Sequence, residues 1–139
     1  MLLNGILFNT EIWYKLTDTD IKRISNVDEY IMRKILGAPA KTPIEALYLE
    51  TGCLPIKYII QRRRLMYLHH ILRRPDNELI KKFYNIQKLK VSKGDWAETI
   101  ITDKTLINLQ MSDNEIAQLS KYKFKNIFKK KIEKKHMMI

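Results

Sequence analysis

The stretch from Pro55 to about Arg74 constrains the fold more than any other part of the chain. At about 100° per residue, Ile56, Ile59, Ile60, Met66, Tyr67 and Ile71 form one broad apolar face of a helix. Leu65, Leu68 and Leu72 form a second face nearly opposite. A helix that is apolar on two sides has to be covered on two sides, so this segment is predicted to be the central element. Between the two faces, Arg62, His69 and Arg73 follow one another at spacings that keep to a single strip. The strip is ~16 Å long and is predicted to be a cationic row reaching solvent. Arg63 falls inside the main apolar face and is expected to be a structural arginine paired with a carboxylate such as Glu45 or Glu50.

The remaining sequence has helical spacing almost throughout and no alternating strand pattern. A first helix is expected over Leu2–Leu16, apolar on most of its circumference. A second starts near Thr17–Asp18, uses Ile21, Ile24, Ile31 and Ile35, and stops at Gly37, with Pro39 preventing continuation. Thr42-Pro43-Ile44-Glu45 reads as a capped start with Thr42 as the cap, and that short helix ends at Gly52. After Pro75-Asp76 a helix runs through Leu79, Phe83 and Ile86. Asp95 is placed to cap a helix over about Trp96–Leu109, and Ser112-Asp113-Asn114-Glu115 is a further capping box. A last helix, about Lys121–Lys135, gathers Phe124, Ile127, Phe128 and Ile132 on one face. The predicted fold is all-α: an irregular bundle of about six to eight helices around the Pro55–Arg74 helix, without a sheet. Residues 1–110 are expected to form a helical core and residues 111–139 a basic amphipathic extension.

Charge narrows the choice of partner. The 139 residues carry 26 Lys and Arg against 15 Asp and Glu, a net charge of +11. The excess is confined to two blocks: residues 57–93 hold 11 basic and 2 acidic side chains, and residues 121–139 hold 8 and 1. A surface built only for solubility mixes its signs, so two basic blocks in an otherwise neutral or acidic chain point to a polyanion. No apolar run reaches the ~18 residues of a membrane span, and there is no basic, small-residue-terminated leader. With one cysteine, Cys53, a disulfide framework is excluded; an intracellular protein, nuclear or cytoplasmic, is expected, with Cys53 a buried or semi-buried thiol.

Catalytic signatures are sparse. There is no Asp-Asp pair for two-metal phosphoryl chemistry and no glycine-rich phosphate loop. Pro75-Asp76 and Glu133-Lys134-Lys135 could be halves of a nuclease motif, but both lie in helical context far apart in the chain. His69 and His70 are adjacent and point about 100° apart, so they do not share a metal. His69 is expected in the cationic row and His70 beside the apolar face. Trp96 is expected to be a core anchor, with base stacking as the alternative. No cofactor, metal or catalytic residue is expected.

Several short motifs occur in a distinctive order: Glu11-Ile12-Trp13, Ile31-Met32-Arg33-Lys34-Ile35-Leu36-Gly37, Thr42-Pro43-Ile44-Glu45-Ala46-Leu47-Tyr48-Leu49-Glu50, and Gly52-x-x-Pro55-Ile56. Arg63-Arg64-Leu65-x-Tyr67-Leu68, Gly94-Asp95-Trp96 and Ser120-Lys121-Tyr122-Lys123-Phe124-Lys125 follow. The order and spacing resemble the segment after the palm in reverse transcriptases of non-LTR, LINE-like retrotransposons whose polyproteins end in a zinc knuckle and a restriction-like endonuclease. The resemblance covers almost the whole chain and implies a thumb and linker that grip template RNA and target DNA. It also implies a fragment: the chain has no palm, no metal-binding Asp-Asp, no knuckle and no endonuclease, Met1 would be an internal methionine, and the missing palm would cover the first helix.

The sequence therefore points to a non-catalytic, nucleic-acid-backbone-binding chain. Arg62, His69 and Arg73 are expected to be one phosphate-contacting row, supported by Lys57, Arg74, Lys81 and Lys82; Lys123, Lys125, Lys129 and Lys130 form a second patch. The rival expectation is a helical protein–protein adaptor with a solubilising basic surface. A helix-turn-helix reader fits less well, because the Pro55 helix opens with Ile56, Lys57, Tyr58 and Ile59 instead of base-reading side chains.

Overall fold

A computed structural model describes residues 16–137. The helix expected over Leu2–Leu16 lies outside the described residues apart from Leu16. The described residues form seven helices and no strand: α1 (Asp18–Leu36), α2 (Ile44–Thr51), α3 (Ile56–Leu72), α4 (Leu79–Leu89), α5 (Trp96–Leu106), α6 (Asp113–Gln118) and α7 (Lys121–Met137). The chain is all-α, as the periodicity requires. It divides into two compact units, Leu16–Ile60 and the residues from Gln61 onward. Residues 111–137, expected as an extension, lie inside the second unit.

In the first unit, α1 starts on a reciprocal capping box. The Thr17 hydroxyl accepts from the Asp20 N–H at 3.2 Å, and the Asp20 carboxylate accepts from the Thr17 N–H at 3.2 Å. Gly37, at φ 62°, closes the helix in the left-handed conformation. Arg33 then donates to the carbonyls of Pro39 (3.2 Å) and Thr42 (2.7 Å), fastening the connection to α2. This changes the expected role of Thr42. Pro43, with its φ already fixed near the helical value, occupies the N-cap without a side-chain bond, and Thr42 contributes its carbonyl instead of a hydroxyl cap. Ile56 and Ile60 are buried against Leu16, Ile21, Ile24 and Ile59. Ile35 departs from the expected apolar face and is 77% exposed, in the last turn beside the exposed Gly37 stop. Cys53 is exposed, not buried, because it follows the left-handed turn at Gly52 and belongs to no helix.

In the second unit, Leu65, Leu68, Ile71 and Leu72 of α3 are buried, so the helix is enclosed on more than one side, as its two apolar faces demand. Phe124, Phe128 and Ile132 recur every fourth residue on α7 and are all essentially inaccessible. Tyr84 is the buried residue of α4. The side chains that mark α4 in the sequence, Leu79, Phe83 and Ile86, are all more than half exposed. Trp96 is half-buried and meets Tyr67 and Tyr84 edge-to-face, at 5.8 and 6.0 Å between ring centres. Asp95 stands at the N-cap of α5, but its carboxylate accepts from the Ser92 N–H at 3.0 Å instead of from α5.

Asp113 joins three helices. It accepts from the Tyr84 hydroxyl at 3.1 Å and from Lys104 at 3.2 Å, and it is also bonded by Lys88. Burial pushes its carboxyl up, but the Lys88 hydrogen bond and the Lys104 charge outweigh this and hold it below the usual carboxylate range. Burial, with Asp113 adding to it, raises the Tyr84 phenol well above its ordinary value.

Candidate nucleic-acid interface

The C-terminal half of α3 and the first turns of α7 line an open groove of about 820 Å³. Arg62, Arg63, Arg73 and Arg74 come from α3 and the residues just after it, and Lys121 and Lys125 come from α7. Met66, Tyr67, His69 and His70 complete the lining, and no carboxylate is among them. Glu78 meets Arg74 from outside the groove at 3.7 Å, an exposed i,i+4 pair. The first turn of α7 carries no acidic residue. Ser120 caps that turn, its hydroxyl accepting from the Lys123 N–H at 3.3 Å.

The two histidines differ in burial: His69 is the buried one and His70 the exposed one. His69 is 3% exposed, stacks on Phe124 at 5.5 Å between ring centres, and lies 2.8 Å through Nε2 from the Leu119 carbonyl. A carbonyl only accepts, so Nε2 carries the hydrogen and the ring is committed to holding the segment before α7. His69 therefore lines the groove with Nε2 already spent on the Leu119 carbonyl, which withdraws that donor from the phosphate-contacting row. His70 is exposed instead, stacked on Tyr67 at 6.0 Å and accepting from Arg74 Nε at 3.4 Å. The buried side of α3 extends to His69 because α7 brings the aromatic Phe124 to it.

Arg64, which the sequence did not single out, is a structural arginine. Arg64 is 6% exposed and pairs with the buried Asp103 at 3.4 Å, and its Nε has no hydrogen-bond partner. Arg63 is half-buried and lines the groove. Spacing carries the signal for Arg64: Ile60, Leu68 and Ile71 lie four before, four after and seven after it, so it shares a helix stripe with buried residues.

Of the other expected contacts, Arg62, Arg73, Arg74 and Lys125 line the groove together. Lys81 is diverted: it donates to the Leu72 carbonyl at 2.9 Å, at the C-terminal end of α3 where a cation is favoured. Lys82, Lys123, Lys129 and Lys130 are exposed and do not line the groove. Lys57 belongs to the first unit and lies over its neighbour Tyr58 at 4.9 Å. Lys121 and Arg63, which the sequence did not single out as contacts, do line it. Among the described residues no group of His, Cys, Asp or Glu side chains is arranged to hold a metal ion, and no helix is long and apolar enough to cross a membrane. No protein-family model, curated protein or solved structure matches this chain.

Proposed function

We propose that this chain grips the phosphate backbone of RNA or DNA and performs no chemistry on it, as its resemblance to the post-palm segment of non-LTR retrotransposon reverse transcriptases implies. In that setting the palm of a parent polyprotein packs against residues 2–16. The observation that carries the proposal is the groove of four arginines and two lysines with no carboxylate in its lining. Phosphate contacts of this kind give affinity without sequence discrimination, because every nucleotide presents the same anion.

Fluorescence anisotropy of the folded chain against a single-stranded RNA and a DNA duplex, each through a salt series, tests it. If all six cations meet phosphates, log affinity for a single strand falls with log salt at a slope of about −4. Absence of binding at low salt would remove the proposal. It would favour the adaptor reading, which the exposed Leu79, Phe83 and Ile86 of α4 support.

A further inference from the structure

Beside the cationic groove lies a second, smaller recess of about 160 Å³. Its walls are Tyr67 and Ile71 of α3, Ile80, Phe83, Tyr84 and Gln87 of α4, and Trp96 of α5. Tyr67 lines both spaces, so one aromatic side chain stands between the cationic groove and the aromatic recess. Four of the seven wall residues are aromatic, and Phe83 remains 56% exposed. An exposed phenylalanine beside a row of cations matches the pattern single strands require: a stacking surface beside a backbone track.

The recess is open, and its volume is enough for one six-membered ring, as a cavity of about 150 Å³ accepts benzene. One wall is polar. The Gln87 Oε1 accepts from the Ala97 N–H at 3.2 Å, which fixes the amide's orientation and leaves Nε2, a donor, as what this residue offers the recess. A donor there calls for a ring bearing a carbonyl oxygen.

We infer that this recess holds one unstacked pyrimidine base of a single strand whose phosphates lie in the adjoining groove, an inference that rests on the nucleic-acid reading above. The ring enters among Tyr67, Phe83 and Trp96, and a pyrimidine carbonyl accepts from Gln87. A duplex keeps its bases stacked and paired and gains nothing from the recess. The chain should therefore prefer pyrimidine single strands over duplexes of equal phosphate number.

The test compares oligo-dT with a strand of equal length made of abasic nucleotides, which keeps every phosphate and removes every base. Anisotropy should give about tenfold tighter binding to oligo-dT. Phe83→Ala, a change at an exposed wall, should abolish most of that difference while leaving the abasic strand unaffected, and Phe83→Tyr should restore it. In a Trp13→Phe chain, Trp96 is the one remaining tryptophan, and oligo-dT should quench it where the abasic strand does not. Equal, salt-sensitive binding of both strands with no change at Trp96 would overturn the base site and leave the backbone grip standing. Failure of the folded chain to bind either strand at low salt would overturn both.

Discussion

Replacing Asp103 by Asn should remove a pH dependence of stability, so that D103N gains on the wild type as pH rises, on top of whatever constant cost comes from breaking a buried ion pair. The two side chains are 5% and 8% exposed and 3.4 Å apart, and the Arg64 Nε lacks a partner. Burial raises the Asp103 carboxyl from 3.8 to about 6, and the attraction of Arg64 offsets only part of that rise. An elevation of that size corresponds to about 3 kcal/mol against the ionised form in the folded state. The folded-state value lies above the unfolded one, so between them the folded protein binds more protons, and stability falls as pH rises. This contribution is fully present below about pH 4 and is lost as pH passes through about 6. An asparagine keeps the shape and an acceptor for Arg64 without the charge. Urea unfolding of both chains from pH 4 to 7.5 should therefore show D103N gaining about 3 kcal/mol relative to the wild type across that range, a large share of a typical domain's stability. Subtracting the two curves cancels other titrating groups, including Asp113, whose lowered value acts in the opposite sense at lower pH. A flat difference would show that the fold leaves the Asp103 carboxyl at its ordinary value, and one in which D103N loses ground as pH rises would show that Arg64 holds it below that value; either refutes the reasoning.

Arg62→Gln combined with Arg73→Gln should reduce the single-strand salt slope from about −4 to about −3, whereas Lys129→Gln with Lys130→Gln, outside the groove, should leave it nearly unchanged. Equal losses in both would mean that net charge, not the groove, does the binding. Phe124→Ala should cost about 3–5 kcal/mol in denaturant unfolding, since the ring is inaccessible and contacts both His69 and Phe128. Gly37→Ala should cost about 1–2 kcal/mol by the same assay; an added methyl meets nothing within 4 Å, so the loss reports only the left-handed backbone.

Helix positions were legible in the sequence wherever local chemistry decides them. Thr17 with Asp20 starts α1, and Gly37 and Gly52 close α1 and α2 at positive φ. Phe124, Phe128 and Ile132 mark α7 by spacing alone. Legibility fails where a distant part of the chain competes for a side chain. The Thr42 carbonyl is taken by Arg33, nine residues away. Asp113 serves Tyr84, Lys88 and Lys104, a convergence of α4, α5 and α6 that no local window contains. Lys81 looks like a free surface cation until α3 and α4 bring it to the Leu72 carbonyl.

The candidate site repeats this lesson on a single helix. Periodicity places Arg62, His69 and Arg73 on one strip correctly, but a strip says nothing of how far each residue along it is covered. Arg62 and Arg73 flank the open part, while His69 lies where Phe124 closes over α3. His69 and Arg64 thus spend their polar groups inside, on the Leu119 carbonyl and the Asp103 carboxylate. Arg62, Arg73 and Arg74 line the opening beside the lysines of α7. His69 holds the segment that leads into α7, so it acts on the groove by positioning Lys121 and Lys125. Replacing it by Gln, which preserves a donor to the Leu119 carbonyl but not the stacked ring, should weaken strand binding through loss of the two α7 lysines from the groove. The R62Q/R73Q and H69Q losses should then be separable by salt slope: R62Q/R73Q removes its cations outright, whereas in H69Q a Lys121→Gln and Lys125→Gln background should abolish any further effect. Additive losses in that combined variant would show that His69 touches the ligand itself.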